Sequence, residues 1–297
     1  MKHKYKVFIV LFLTATCLYA QNRATYTYAI KNSDSLKLDV YTPANVTKGD
    51  SLPVVVWMHG GGFAGGRRDQ MEIEKFMNYL SIEKGYIGVS ISYRLLRSKK
   101  PTGFGCDCTR TEKITTFKEA AIDYLDATAF LVEHAEELHL DPSRIIAGGS
   151  SAGAEGILNA VFMRSFFVSD LERYKNVQYA GVFSCAGAVL NANYITENNA
   201  VPSVLFHGTK DPLVPFDTAP HHYCDPEKPG FIMLDGSNQI ADKLMAYESS
   251  LYYTVVNGGG HELAAIPFQD LDRIMSFFQE TITEKNTQQL KFIKTKK

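Results

Sequence analysis

The chain has 297 residues, 45% of them hydrophobic, with 31 Lys and Arg against 32 Asp and Glu and a formal charge of −1. That supplies one large core or two modest ones and no excess of positive charge, which excludes a disordered, collagen-like or nucleic-acid-binding protein.

In chain order, the first segment reads as a transport signal. Lys2, Lys4 and Lys6 precede the apolar run "VFIVLFLTATCLYA", too short and too abruptly ended for a membrane span; Leu18 and Ala20 stand at the recognition positions, an imperfect version of the usual small-residue pair, and cleavage after Ala20 is expected. A competing reading makes Cys17 the lipidated cysteine of a bacterial lipoprotein. Either way the destination is periplasmic or extracellular. Removing residues 1–20 leaves 28 basic against 32 acidic residues, a charge of about −4. Residues 21–297 show no internal repeat, low-complexity linker or break in composition, and read as a single domain.

"TYTYAI" and "LKLDVY" alternate polar and apolar residues around "KNSDS", the pattern of a hairpin with one wet face. Continuous apolar runs follow at 54–58, 87–93, 144–149, 180–185, 203–207 and 252–256. Runs without alternation belong to strands covered on both faces, as in a parallel sheet. Between them lie helical patterns. In "FKEAAIDYLDATAFLVEHAEELHL", Ile122, Leu125, Ala129, Val132 and Ala135 form a stripe that Tyr124, Leu131 and Leu138 widen, with Asp141-Pro142 as the stop. The last helix starts near Pro267 and repeats the period with Phe268, Leu271, Ile274, Phe278 and Ile282. The tail "KFIKTKK" reads as a solvated, frayed end. Strands alternating with helices predict an α/β fold with right-handed crossovers.

After the signal, Cys106, Cys108, Cys185 and Cys224 remain. Four cysteines in an exported chain permit three pairings. The "CDC" pair lacks the second pair or spaced His of a metal centre, so a disulfide is expected and a metal is not.

The chemistry concentrates in three segments. In "IIAGGSSAGAEG", Gly149-Ser150-Ser151-Ala152-Gly153 fits G-x-S-x-G between a strand and a helix, where a tight turn exposes the central hydroxyl. Ser151 is the candidate nucleophile. A serine needs a base oriented by a carboxylate. Downstream, "VPSVLFHGTKDPLVP" sets Asp211 just past one strand and "YYTVVNGGGHEL" sets His261 just past the next, the order Ser, Asp, His. In "VVVWMHGGGF", consecutive glycines let backbone amides turn toward a developing oxyanion; Gly61, Gly62 and the amide of Ala152 are the candidate donors.

Other polar residues have structural readings. His207 precedes Asp211 and would brace the acid loop, and His221 and His222 would sit at the pocket rim. Asp217 and Asp235 compete for the acid role without following a strand directly. Asp123 and Asp126 lie on the long helix, where ion pairing is the default. Tyr93 and Arg94 would brace the sheet edge, and Trp57 and Phe63 would pack rather than touch substrate.

"HGGGF", "YRLL", "DPSRI", "GSSAG", "HGTKDPLVP" and "GGGHE" together resemble the α/β-hydrolase superfamily, specifically the HGGG-type carboxylesterases related to hormone-sensitive lipase and to bacterial carbohydrate esterases. The resemblance runs from about Leu36 to the final helix. It implies a mostly parallel eight-stranded sheet flanked by helices, the triad Ser151, Asp211 and His261, and no cofactor. Ser150 departs from the acidic residue that many relatives carry before the nucleophile. About seventeen residues between "AGVFSC" and "SVLFH" leave no room for a large cap. Segments 94–118 and 217–243 should then line the pocket. The implied function is a secreted serine esterase acting on short-acyl or feruloyl esters, including those on plant polysaccharide. A prolyl-oligopeptidase-like serine peptidase, a lipase-like esterase and a degenerate hydrolase serving as a binding module are the rival readings.

Overall fold

The structure is a computed structural model that describes residues 22–296; the signal, Cys17 and the cleavage position lie outside the described residues. A hairpin comes first: β1 (Asn22–Lys31) and β2 (Asp34–Thr42) pair antiparallel. Asn32 and Ser33, both at positive φ, form its two-residue turn, the backbone that suits the twist of paired strands. Next come β3 (Leu52–Met58), α1 (Met71–Asn78), β4 (Ile87–Ile91), α2 (Arg110–Glu133), β5 (Leu140–Ser150), α3 (Ala152–Phe162) and the short α4 (Arg164–Phe167). The remainder holds β6 (Gly181–Cys185), β7 (Ala188–Val189), β8 (Ser203–Gly208), β9 (Thr218–Pro220), β10 (Met233–Gly236), α5 (Ser237–Ala246), β11 (Leu251–Asn257), α6 (Leu271–Phe278) and β12 (Gln289–Thr295).

The main sheet runs β1-β2-β4-β3-β5-β6-β8-β11-β12. From β4 to β12 every neighbouring pair is parallel. The expected mostly parallel α/β sheet is present, with a correction at its end: it has nine strands, not eight. The ninth is the C-terminal tail. Residues 289–295 pair in register with 251–257, because Phe292 packs against the core and β11 would otherwise leave its amides and carbonyls unpaired.

Strand β3 shows why its apolar run does not alternate. Val54, Val56 and Met58 enter the core under α2, α3 and α5, whereas Val55 and Trp57 enter the core under α1 and α6. Trp57 meets Phe76 and Phe183 edge-on at 5.2 and 5.3 Å, and Gly148 on β5 leaves room for its indole. Packing is therefore its role, as it is for the buried Phe63.

Helix α2 differs from its expected boundaries and face. It begins at a capping box, with Thr109 and Glu112 satisfying each other's backbone amides. It ends at Glu133, and Leu140-Asp141-Pro142 already belongs to β5. Its most deeply buried face carries Phe117, Ala120, Tyr124, Ala127 and Leu131, while Ile122, Ala129, Val132 and Ala135 are partly buried at the flank. The buried carboxylates Asp123 and Asp126 turn the helix face. Asp123 binds Arg94 and Lys31, and Asp126 binds Lys31 and Arg173.

Candidate active site

Ser151 follows β5 directly, with φ 52° and ψ −124°, a backbone region that costs on the order of 1–3 kcal/mol for a non-glycine residue. Its amide donates to the Cys185 carbonyl at 2.8 Å, which pins the turn against β6. Gly153 is obligatory there, because a Cβ would lie 2.1 Å from the Met58 carbonyl oxygen. The strained turn aims the Ser151 hydroxyl out of the sheet.

His261 and Asp211 meet it from two further strand ends. The hydroxyl donates to His261 Nε2 at 2.8 Å, and His261 Nδ1 donates to Asp211 Oδ2 at 2.7 Å. The other carboxylate oxygen, Oδ1, accepts the Leu213 and Val214 amides at 2.9 and 3.0 Å. Pro212, between Asp211 and Leu213, has no N–H to offer. The loops after β8 and β11 are stitched together by Thr209 N to Val256 O and Lys210 N to Gly259 O. Burial would raise the pKa of Asp211, yet the adjacent His207 ring, the hydrogen bond from His261 and the backbone amides hold it well below the usual carboxylate range. It is an ionised partner for His261 at neutral pH.

His207 braces the acid loop, as its position suggested. Its Nε2 donates to the Val214 carbonyl at 3.1 Å, and Nδ1 accepts from Ser237 Oγ at 2.7 Å. It stands 3.6 Å from Asp211 Oδ2, beyond direct hydrogen-bond length. The rival acids are engaged elsewhere. Asp217 accepts from Asn238, and Asp235 accepts from Thr218 and the Ala192 amide.

Across the cleft lies the glycine loop. Gly61 has φ 121°, and a Cβ on it would meet the Gly65 carbonyl oxygen at 2.3 Å. His59 braces this loop, with Nδ1 donating to the Gly60 carbonyl at 2.7 Å, and Tyr93 Oη donates to the His59 carbonyl at 2.9 Å. Gly61, Gly62 and Ala152 line one cleft together with Ser151 and His261. Tyr93 thus supports the loop rather than the sheet edge, while Arg94 clamps Glu119 and Asp123.

The wall of the cleft comes from the two long segments. Phe104 enters from 94–118, and His221 and His222 enter from 217–243. A Cys106–Cys224 disulfide joins the two segments, backed by Gly230 N to Cys106 O and Arg110 N to Pro229 O. Cys108 and Cys185 are free and buried, and among the described residues no cluster is suited to a metal.

One expectation fails here. His221 is not a rim residue; it is fully buried at the cleft floor between Phe104, Phe117 and His222. Beside it lies Glu155, one helical turn beyond Ser151 on α3 and equally buried, with Oε1 at 3.3 Å from His221 Nε2. Sequence reasoning passed over Glu155. Its signal was a lone charge in the otherwise apolar "AGAEGILNAVF".

Known proteins match this arrangement in part. The BD-FAE family model matches residues 38–175, a stretch that holds the glycine loop and Ser151 and ends before Asp211 and His261. Carboxylesterase 1E of Rattus norvegicus is 30% identical over 173 residues, 58% of this chain and 28% of the rat protein. The fumonisin B1 esterase of Sphingopyxis macrogoltabida is 27% identical over 136 residues, 42% of this chain and 22% of that protein. The chain spans less than a third of the length of these curated relatives. Among solved structures, native esterase 2 of Thermogutta terrifontis superposes with a TM-score of 0.65 at 17% identity, over 87% of this chain and 92% of that one. Its paraoxon-phosphorylated form gives the same score over 89% and 94%.

Proposed function

We propose that this chain, an α/β-hydrolase by fold, is a serine carboxylesterase in which residues after the signal work as one catalytic domain. The supporting observation is the continuous hydrogen-bond relay from Ser151 Oγ through His261 to Asp211 beside the glycine loop. Ser151 Oγ attacks the ester carbonyl carbon while its proton passes to His261 Nε2. The amides of Gly61, Gly62 and Ala152 hold the resulting oxyanion. Collapse breaks the bond to the alcohol oxygen, which takes the proton from His261 and leaves an acyl-Ser151. Water, deprotonated by the same imidazole, then releases the acid and restores the serine.

The substrate reading is a short-acyl or feruloyl ester on a bulky, soluble partner such as plant polysaccharide, met by an exported enzyme. Support comes from the signal-like N-terminus and from the lack of a large cap. Among the described residues, 186–202 form only the short β7 and a single 3-10 turn over 192–194. The test is hydrolysis of p-nitrophenyl acetate, p-nitrophenyl decanoate, methyl ferulate and acetylated xylan by wild type and Ser151→Ala. Activity on the short or feruloyl esters that drops at least about 10⁴-fold in the variant is expected. Preference for decanoate would overturn the open-site reading, and full activity in Ser151→Ala would overturn the mechanism.

A further inference from the structure

Three buried polar side chains at or behind the cleft floor take no part in the relay. Glu155 comes from α3, His221 from the segment after β9, and Lys113 from the first turns of α2. Side chains of this kind are rarely buried unless paired. Yet Glu155 Oε1 and both ring nitrogens of His221 lack a hydrogen-bond partner. The 3.3 Å approach of Glu155 Oε1 to His221 Nε2 is a close contact without hydrogen-bonding geometry. Lys113 Nζ reaches Cys224 Sγ only at 4.0 Å. Orphaned donors and acceptors of this sort weaken a fold, because water is lost and nothing replaces it.

Their location gives the orphans a use. Glu155 and His221 line the same cleft as Ser151, the glycine loop and His261. Three residues of α3 separate Glu155 from Ser151, which puts its carboxyl about one helical turn, roughly 5 Å, along the axis from the nucleophile. Phe104 and His222 flank His221 at 5.2 and 4.3 Å between ring centres. The imidazole is thereby held in a fixed orientation.

We propose that Glu155 and His221 form a polar subsite that receives a hydroxyl group of the ester, so that hydroxylated esters are the preferred substrates. The proposal rests on the esterase reading above and names the substrate class for it. A hydroxyl suits the floor because it both donates and accepts, and one such group can complete Glu155 and His221 together. An ionic group does not suit it. Burial, opposed by the charges of His261 and Lys113 and reinforced by that of Asp211, raises the Glu155 pKa to about 8, so the carboxyl keeps its proton at neutral pH. Burial and nearby Lys113 keep His221 neutral. A site built to hydrogen-bond a hydroxyl discriminates strongly against the analogue that lacks it.

The hydroxyl can belong to the acyl group or to the alcohol, and two matched pairs separate these sources. On the acyl side, p-nitrophenyl 3-hydroxybutyrate is compared with p-nitrophenyl butyrate; on the alcohol side, 2-hydroxyethyl acetate is compared with propyl acetate. Wild type should favour the hydroxylated member of one pair in kcat/KM by at least about tenfold. Glu155→Leu should bring that ratio close to one, and Glu155→Gln, which keeps a donor and an acceptor, should retain most of it. Equal rates within both pairs would overturn the proposal and assign the orphans to trapped water.

A binding measurement reads the subsite without chemistry. Isothermal titration of wild type compares 3-hydroxybutyramide with butyramide and N-(2-hydroxyethyl)acetamide with N-propylacetamide. The same preference should appear in Kd. A protein inert toward every ester yet showing this preference would refute the esterase reading and keep the subsite; an active enzyme with no preference would do the reverse.

Discussion

Two histidine and carboxyl pairs stand within one cleft, and they are built to opposite specifications. In His261 and Asp211 every polar atom of the acid is engaged, one oxygen by the imidazole and the other by two amides. In His221 and Glu155 the partners sit 3.3 Å apart and leave three atoms unpaired. The difference lies in the backbone rather than in the residue types. Asp211 is carried by a tight loop that turns its own amides onto the carboxylate, whereas Glu155 lies within a helix whose amides beyond the first turn are already spent on carbonyls. A satisfied pair holds a charge in a fixed place, and an unsatisfied pair leaves polar atoms without a partner.

The largest way to break the first pair is Asp211→Asn. It keeps the shape and removes the charge that fixes the His261 tautomer, so kcat for p-nitrophenyl acetate should fall about 10⁴-fold with little change in KM. A fall of less than about tenfold would make Asp211 structural. Gly61→Ala leaves both pairs in place and disturbs the loop opposite them. The added Cβ would lie 2.3 Å from the Gly65 carbonyl oxygen at a φ that L-residues avoid, and about 10²- to 10³-fold should be lost in kcat. Unchanged turnover would remove Gly61 from the oxyanion site.

The smallest effect sharpens the contrast by its sign. Glu155 holds its proton to about pH 8 in the folded chain and gives it up near 4.5 when unfolded. Unfolding therefore releases a proton between those values, and Glu155 makes the protein less stable as pH rises through that window. Asp211 behaves oppositely, because its depressed pKa favours the fold above the ordinary aspartate value and is lost only in acid. Urea unfolding of wild type and Glu155→Gln at pH 5 and pH 8 checks this. The variant should gain stability relative to wild type at the higher pH. A constant difference would mean that Glu155 is ionised throughout.

What was legible in the sequence followed from local rules. Strands buried on both faces read as unbroken apolar runs, and β3, β4, β5, β6, β8 and β11 lay where those runs fell, whereas the short β7, β9 and β10 of the second sheet carried no such run. The Ser151 turn announced itself because only glycine tolerates the close approach at Gly153, and Asp211 and His261 were found because chain order and strand ends constrain them. The cleft floor was not legible. His221 reads like any loop histidine until a disulfide 118 residues long in sequence separation draws its segment over α2, and no local pattern reports that. Ion pairing was the expectation for Asp123 and Asp126 and is what they do, but their partners Lys31, Arg94 and Arg173 come from other elements, and nothing within the helix names them.

The ninth strand has a consequence for how these molecules keep apart. An open parallel sheet ends in a row of backbone groups that a second chain could extend, and here that border falls on β12. Its lysines, Lys291 and Lys294, sit on the border strand, and Lys296 just beyond it pairs with Glu262 in the loop that carries His261. Positive charge repeated along a border repels an identical border. The basic tail that looks like a loose end is thus the border strand of the sheet, with the edge lysines that disfavour pairing with a second border. Removing it would leave the buried strand β11 with one edge unpaired.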